Sequence, residues 1–381
     1  MERKNCYYLS STLLVVCFFL LGCSQKKEES VVLKDAFKDA FLIGTAVTAD
    51  QLLGVDSLGL RVIKENFNSI VAENCMKSGE VQPREGQFNF DLADRFVAFG
   101  EQNNLFVIGH TLIWHSQAPK WFFVDDHGND VSREVLIERM RTHINSVVTR
   151  YKGVIKGWDV VNEAILDDGT LRNSKFLQII GEDYIPLAFQ FAHEADPTAE
   201  LYYNDYNEWH VGKRNTIVNL VKSLKEKGLR IDAVGMQGHM GMEYPSIEEY
   251  ENAIEAYHKA GVKVMITEWD ISALPLASRN VGANISDTVA YKKEINPYVE
   301  GLPKDVQAEW EKRYLDFFKL FIKHQDKISR VTLWGVSDAT SWKNNYPVAG
   351  RTDYPLLFDR QYDPKPVINS IIDLVENKNQ K

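Results

Sequence analysis

Two glutamates carry most of the chemical information in this sequence. Glu163 ends the run IKGWDVVNEA (155–164) and Glu268 ends KVMITEW (263–269). Taken alone, either reads as a salt-bridge partner. As a pair at the ends of two apolar runs, each with a nearby Trp, they read as catalytic carboxyl groups. Cleavage of a glycosidic bond needs two such groups facing one substrate: one protonates the leaving oxygen, the other attacks the sugar or activates water. Other chemistries lack their residues. There is no HExxH and no HxH, and Cys75 has no CxxC partner, so no metal spacing appears. His110 and His115 lie five apart at a strand end and would point to opposite faces. No GxSxG, no P-loop and no GxGxxG after a strand is present, so no cofactor is implied.

Such a pair must be held by a scaffold. Apolar, strand-like runs occur at 41–47, 67–73, 105–114, 155–164, 199–205, 233–239, 263–269 and 328–336. Amphipathic helical stretches separate them. One starts at Asp91 with Asp91 as its cap, and one at Ser132 with Glu134 close behind. Others cover 210–227, 246–260, 308–325 and 365–378. This alternation implies a parallel sheet covered by helices, and eight units favour the closed (β/α)8 barrel (TIM barrel), an α/β fold of one domain. Seven of the eight runs end in polar or aromatic residues: Glu73-Asn74, His110-Thr111, Asn162-Glu163, Asn204-Asp205, Gln237-Gly238-His239, Glu268-Trp269-Asp270 and Trp334. A buried parallel strand ends apolar unless its C-terminal mouth is a site, and that mouth is where such barrels keep their chemistry.

The chain has 381 residues, 25% of them charged, with a formal net charge of -9. No basic patch points to nucleic acid. Eight Trp and sixteen Tyr offer flat faces that suit sugar rings. Residues 1–22 read as a cleaved leader: Arg3 and Lys4, then the short apolar run 13–21, too short to span a membrane. The run ends in LLGC (20–23), which resembles the bacterial lipoprotein processing signal and implies acylation of Cys23, with residues 23–39 as lipidated Cys and tether. SQKKEES (24–30) also resembles the export signal of Bacteroidetes surface lipoproteins, implying outer-membrane attachment through lipid, on the cell surface or the periplasmic face. Cys6 and Cys17 leave with the leader, so Cys75 has no intrachain partner and the fold must stand on its core. The catalytic barrel is expected over 40–381, as a monomer.

WDVVNEA (158–164) resembles the acid/base signature of glycoside hydrolase family 10, and ITEWD (266–270) resembles its nucleophile signature. VAENCMK (71–77) with Pro83 and GQFNF (86–90), GHTLIWHSQAP (109–119), GMQGHM (235–240) and WGVSDATSW (334–342) match in the same order. The family consists mainly of retaining endo-β-1,4-xylanases. The resemblance implies Glu163 as acid/base and Glu268 as nucleophile, with Asn162 on the 2-hydroxyl of the attacked sugar. It implies that His239 bonds Glu268, that Asp270 orients His239, and that Gln237 lies near both carboxylates. Glu73, Asn74, Lys77, His110, Trp114 and Gln117 would bind sugars on the non-reducing side of the cut, walled by Trp334 and Trp342. Tyr206 and Asn207 of NDYN (204–207) fall where the family handles the leaving group.

Two features depart or stand apart. Ser78-Gly79 occupy the place where the family often has Trp, and the long stretch 274–303 is either part of the acceptor wall or a plain loop. The reading is a retaining endo-β-1,4-xylanase acting on xylan by double displacement. A β-1,4-glucanase or mixed-specificity glycosidase with the same mechanism, and a non-catalytic glycan-capture surface lipoprotein, remain as alternatives. The two carboxyl groups should stand about 5–5.5 Å apart, so that the charge on Glu268 keeps Glu163 protonated.

Overall fold

The computed structural model describes residues 32–275 and 293–379, together with Glu2. The leader, Cys23 and most of the 274–303 stretch lie outside the described residues. Among the described residues nine strands form: β1 (Leu42–Val47), β2 (Ser69–Ala72), β3 (Phe106–Trp114), β4 (Gly157–Asn162), β5 (Glu200–Asp205), β6 (Ala233–Met236), β7 (His239–Gly241), β8 (Lys263–Ser272) and β9 (Ile328–Leu333). Eight of them close in the order β1-β2-β3-β4-β5-β6-β8-β9, β9 returning to β1, with every pairing parallel. This is the (β/α)8 barrel.

Nearly all strand residues are buried, because helices cover the outside and side chains fill the inside. The inner core holds Ala46, Val71, Ile108, Tyr202, Ala233, Met265 and Trp334. Glycines make room for the large ones: a Cβ on Gly157 would stand 2.1 Å from the Tyr202 hydroxyl. The outer core lies between sheet and helices and includes Trp158, Trp269, Trp310, Tyr250 and Phe317, none of them accessible to solvent beyond 1%. None of the described helices is long and apolar enough to cross a membrane.

Four local features differ from the sequence expectation. The folded unit starts at Val32 instead of residue 40: Leu33–Ala36 is helical, and Leu33 and Phe37 are fully buried, so the last part of the supposed tether is core. Asp91 is the first helical residue of Asp91–Gln102, not its cap; Phe90 holds the cap position without a side-chain bond. Helices Ser57–Asn66 and Tyr184–Ala195 complete the alternation where the sequence pattern was weaker. The sixth expected strand is split. Gly238 at φ +74° interrupts it, so β6 stops at Met236 and His239 begins β7, paired only with β8. That break matters for the site, because the new register places His239 opposite Asp270. The Ser132 cap is formed, its hydroxyl accepting from the Val135 amide.

Candidate active site

The C-terminal ends of the strands meet around one cleft. Its lining comprises Glu73, Asn74 and Lys77 after β2; His110, Trp114 and Gln117 from β3 and its loop; Asn162 and Glu163; Gln237 and His239; Glu268; and Trp334 and Trp342. Both glutamates are buried, with 5% and 6% exposure. Glu163 follows the last residue of β4 and holds φ at +57°, a costly conformation for a residue with a Cβ, and one that turns its side chain into the mouth. Glu268 sits within β8, where the register with β9 shifts between Ile266 and Trp269, and its side chain lines the mouth.

The two carboxyl groups have opposite surroundings. Glu163 receives neutral donors: the Trp114 indole N–H at 2.8 Å on Oε2 and the Gln237 amide at 3.0 Å on Oε1. Burial is the largest influence and raises its pKa; the Gln237 and Trp114 bonds pull down, while the charges of Asp205 and Glu268 push up, and the net is a raised pKa. Burial also pushes Glu268 up, but there it is outweighed. The His239 bond, the charges of His110 and His239 and the Asn204 bond hold Glu268 below the usual carboxylate range. Glu163 therefore keeps its proton where Glu268 has lost one.

His239 is the main reason for the low value. Its Nε2 lies 3.3 Å from Glu268 Oε2 and its Nδ1 2.9 Å from Asp270 Oδ2. Burial disfavours the imidazolium, but the Asp270 carboxylate and the bonds to both acids raise the pKa to about 9. Near neutral pH the ring is a cation donating from both nitrogens. Asp270 is fully buried, and burial alone would raise it; Lys343 at 3.5 Å, His239 and the Trp342 indole N–H at 2.8 Å keep it ionised. Trp342 lies against the His239 ring, 4.8 Å between centroids, and stacks on Tyr346.

Two amides link the carboxylates. Asn204 donates to Glu268 Oε1 at 2.8 Å and to Asn162 Oδ1 at 3.0 Å, while its own oxygen accepts from the Thr267 hydroxyl. Asn162 in turn lies 3.4 Å from Glu163 Oε1. Asn204 was visible in the sequence only as one more polar strand end; its inward position next to Glu268 follows from β5 and β8 flanking β6, which only closure of the barrel supplies.

The rest of the cleft forms a polar and aromatic pocket. Lys77 Nζ donates to Asn74 Oδ1 at 2.8 Å and lies 4.9 Å from the Trp114 ring. Burial lowers the Lys77 pKa, against the pull of Glu268, Glu73, Glu163 and Glu80. Burial likewise raises Glu73, beside Lys77 and Asn74. His110 is fixed by Asp159 at 2.9 Å and meets the edge of Trp334. Gly79, next to Ser78, has a structural reason: its N–H donates to Gln117 O at 3.0 Å, and a Cβ there would stand 2.6 Å from that oxygen. Cys75 is buried and its thiol pushed up to about 12 by burial, so it stays a neutral small residue.

Tyr206 is not in this cleft. It is buried on the other side of Glu163, its hydroxyl accepting from Arg172 at 2.6 Å, and Asn207 donates to Asp167 at 3.0 Å. Arg172 also binds the Glu163 carbonyl at 2.8 Å. The sequence reading had no role for Arg172, because a lone Arg in a polar loop carries no pattern.

The sequence profile of glycosyl hydrolase family 10 matches residues 32–374. Endo-1,4-beta-xylanase A of Xylanibacter ruminicola is 53% identical over 94% of this chain and 97% of its own. The endo-1,4-beta-xylanase of Geobacillus stearothermophilus is 43% identical over 90% of this chain and 98% of its own. Among solved structures, an endoxylanase of this family from sugarcane soil metagenome superposes with a TM-score of 0.86 at 46% identity, covering 90% of this chain and 99% of that one. With a carboxylate pair of opposite ionisation at the mouth of the same barrel, the chain belongs to glycosyl hydrolase family 10.

Proposed function

We propose that this chain is a retaining endo-β-1,4-xylanase that cuts internal β-1,4-xylosidic bonds of xylan by double displacement. The observation that carries the reading is the divergence of two buried glutamates in one cleft, Glu163 held protonated and Glu268 held ionised. The choice of xylan is supported by the names of relatives that match nearly end to end.

In the first step a Glu268 oxygen attacks the anomeric carbon while Glu163 gives its proton to the departing glycosidic oxygen. The cationic His239 holds Glu268 ionised and oriented, and Asn204 fixes its second oxygen. Asn162 stands beside Glu163 and is joined to Glu268 through Asn204, where it can bind the 2-hydroxyl of the attacked sugar. Once Glu268 is esterified its charge is gone, and so is one of the influences that raise Glu163. Glu163 then takes a proton from water as that water attacks the anomeric carbon, and the free sugar leaves with its original configuration. Lys77, His110, Trp334 and Trp342 grip the sugars on the non-reducing side, and no cofactor takes part.

The test is product analysis. Protein from Ser24 onward is incubated with xylan and, separately, with mixed-linkage β-glucan, and products are followed by mass spectrometry and early-time proton NMR. Short xylooligosaccharides formed first as β-anomers are expected. α-Anomers formed first overturn the mechanism, and cleavage of glucan alone overturns the substrate. We further infer lipid attachment at Cys23 and outer-membrane display, on the strength of the LLGC sequence. Labelling with radioactive palmitate and release of a Cys23→Ser variant from membranes would support it; an unlabelled wild type would sink it.

A further inference from the structure

The side chains lining the cleft come from β2, β3, β4, β6, β7, β8, β9 and their loops, and none from β1, β5 or the loops after them. The leaving half of the chain departs on the side of Glu163, which protonates it, and the loops following β4 and β5 are tied to Glu163. Those loops are joined by a residue with no assigned part in the reaction. Lys213 is the third residue of helix Val211–Glu226 and has no solvent exposure. Its ammonium donates to Asp205 Oδ1 at 2.9 Å and to the Tyr206 carbonyl at 2.7 Å, and pairs with Asp167 Oδ1 at 3.1 Å. It also stands 4.0 Å from the centre of the Tyr206 ring.

One cation thus grips the loop after β4, through Asp167, and the end of β5 with the loop that follows it, through Asp205 and Tyr206. The loop after β4 also packs closely on the first turn of the helix Val211–Glu226. A Cβ on Gly212 would stand 2.6 Å from the Asp168 carbonyl, and one on Gly169 would stand 2.7 Å from the Gly212 carbonyl. The assembly reaches Glu163 directly, since Arg172 bridges the Tyr206 hydroxyl and the Glu163 carbonyl. Stability alone does not favour a lysine here. A buried ion pair gains little over well-packed apolar residues, and a cation in the first turn opposes the helix dipole.

We propose that Lys213 is a positioning residue for Glu163, a buried clamp that fixes the loops after β4 and β5 as the wall receiving the leaving half of the chain. The inference rests on the assignment of Glu163 as the acid. Misplacing that wall weakens proton delivery and binding of the leaving half, and leaves the attack by Glu268 alone. The defect therefore depends on the leaving group. A xylose leaving group needs both functions; 2,4-dinitrophenolate needs neither a proton nor a sugar-binding wall.

The experiment compares kcat/KM for xylohexaose and for 2,4-dinitrophenyl β-xylobioside in wild type, Lys213→Met, Lys213→Arg, Asp167→Ala and Glu163→Ala, with circular dichroism and melting curves alongside. For Lys213→Met we expect a loss on the order of a hundredfold with xylohexaose and less than about threefold with the activated substrate. Lys213→Arg should recover part of the difference. Asp167→Ala, at a half-exposed position that folding tolerates, should show a smaller split of the same sign and serves if Lys213→Met does not fold. Equal losses on both substrates in Lys213→Met and Asp167→Ala overturn the clamp, because a purely structural defect lowers both together. Glu163→Ala separates the two claims. A split there without one in the clamp variants removes the clamp and keeps the acid; no split in Glu163→Ala removes both.

Discussion

Glu163 and Glu268 are the same residue type, equally buried, in the same cleft, and they hold their protons differently. On the Glu163 carboxyl group the bonded partners are neutral, an indole N–H and an amide, and the nearby charge from Asp205 is negative. Around Glu268 the partners include a cationic imidazole that is itself anchored by a buried carboxylate. Burial raises both; the bond and charge of His239, with the charge of His110 and the Asn204 bond, bring Glu268 down. The backbone differs in the same sense. Glu268 lies inside β8, at a shift in its register with β9, and its amide is fixed on the Gln237 carbonyl at 2.9 Å. Glu163 leaves β4 at a positive φ, tied down by Arg172 on its carbonyl. The division of labour is therefore written in the second layer of residues, not in the acids themselves.

The largest effect comes from removing one acid or the other. Glu268→Ala should cut turnover of xylan by at least about 10⁴-fold, since no covalent intermediate can form. Glu163→Ala should cost roughly 10²–10⁴-fold on xylan and far less on an aryl xyloside with a good leaving group. Azide separates the two. Added to Glu268→Ala it should yield an α-glycosyl azide by direct displacement, and added to Glu163→Ala a β-glycosyl azide by attack on the glycosyl-enzyme. The same azide anomer from both variants would mean that the roles of the two sides are misassigned.

An intermediate effect tests the source of the asymmetry. His239 lowers the Glu268 pKa through its bond and its charge. His239→Ala should therefore raise that pKa. Because Glu268 acts as the anion, the acid limb of kcat/KM against pH should move up by about one unit or more. The basic limb, which reports deprotonation of Glu163, should move little. An unmoved acid limb would show that Glu268 owes its ionisation to something other than His239.

How much of this was legible beforehand varies with the kind of signal. The barrel was legible because buried parallel strands and amphipathic helices have distinct periods, and the mouth because polar residues kept interrupting apolar strand ends. Glu163 and Glu268 stood out for that reason. Leu33 and Phe37 did not, since one helical turn among Lys and Asp shows no period, although both side chains are core. The role of Gly238 was equally hidden: a glycine inside an apolar run does not announce that the strand restarts in a register that sets His239 beside Asp270. Lys213 and Arg172 were harder still. HVGKRNT reads as the solvated start of a helix, and only the tertiary fold shows that its first lysine has no solvent at all. Periodicity reveals what faces the core, whereas a cation bridging two loops depends on contacts between segments that sequence spacing does not encode.

The smallest effect separates packing from chemistry at Trp114. As a wall of the cleft it would matter for its surface alone; the structure adds an indole N–H on Glu163 Oε2 at 2.8 Å. That bond favours the carboxylate and pulls the Glu163 pKa down against burial. Trp114→Phe keeps an aromatic face and deletes the donor, so the pKa of Glu163 should rise. Glu163 works as the acid, so the basic limb of kcat/KM should move to higher pH, by about half a unit to one unit. The acid limb, set by Glu268, should stay. Because the same carboxylate must serve as base in the second step, kcat for substrates limited by hydrolysis of the glycosyl-enzyme should change as well. A variant that loses affinity for xylooligosaccharides with both limbs in place would reduce Trp114 to a sugar platform, and would leave Gln237 as the donor that restrains Glu163.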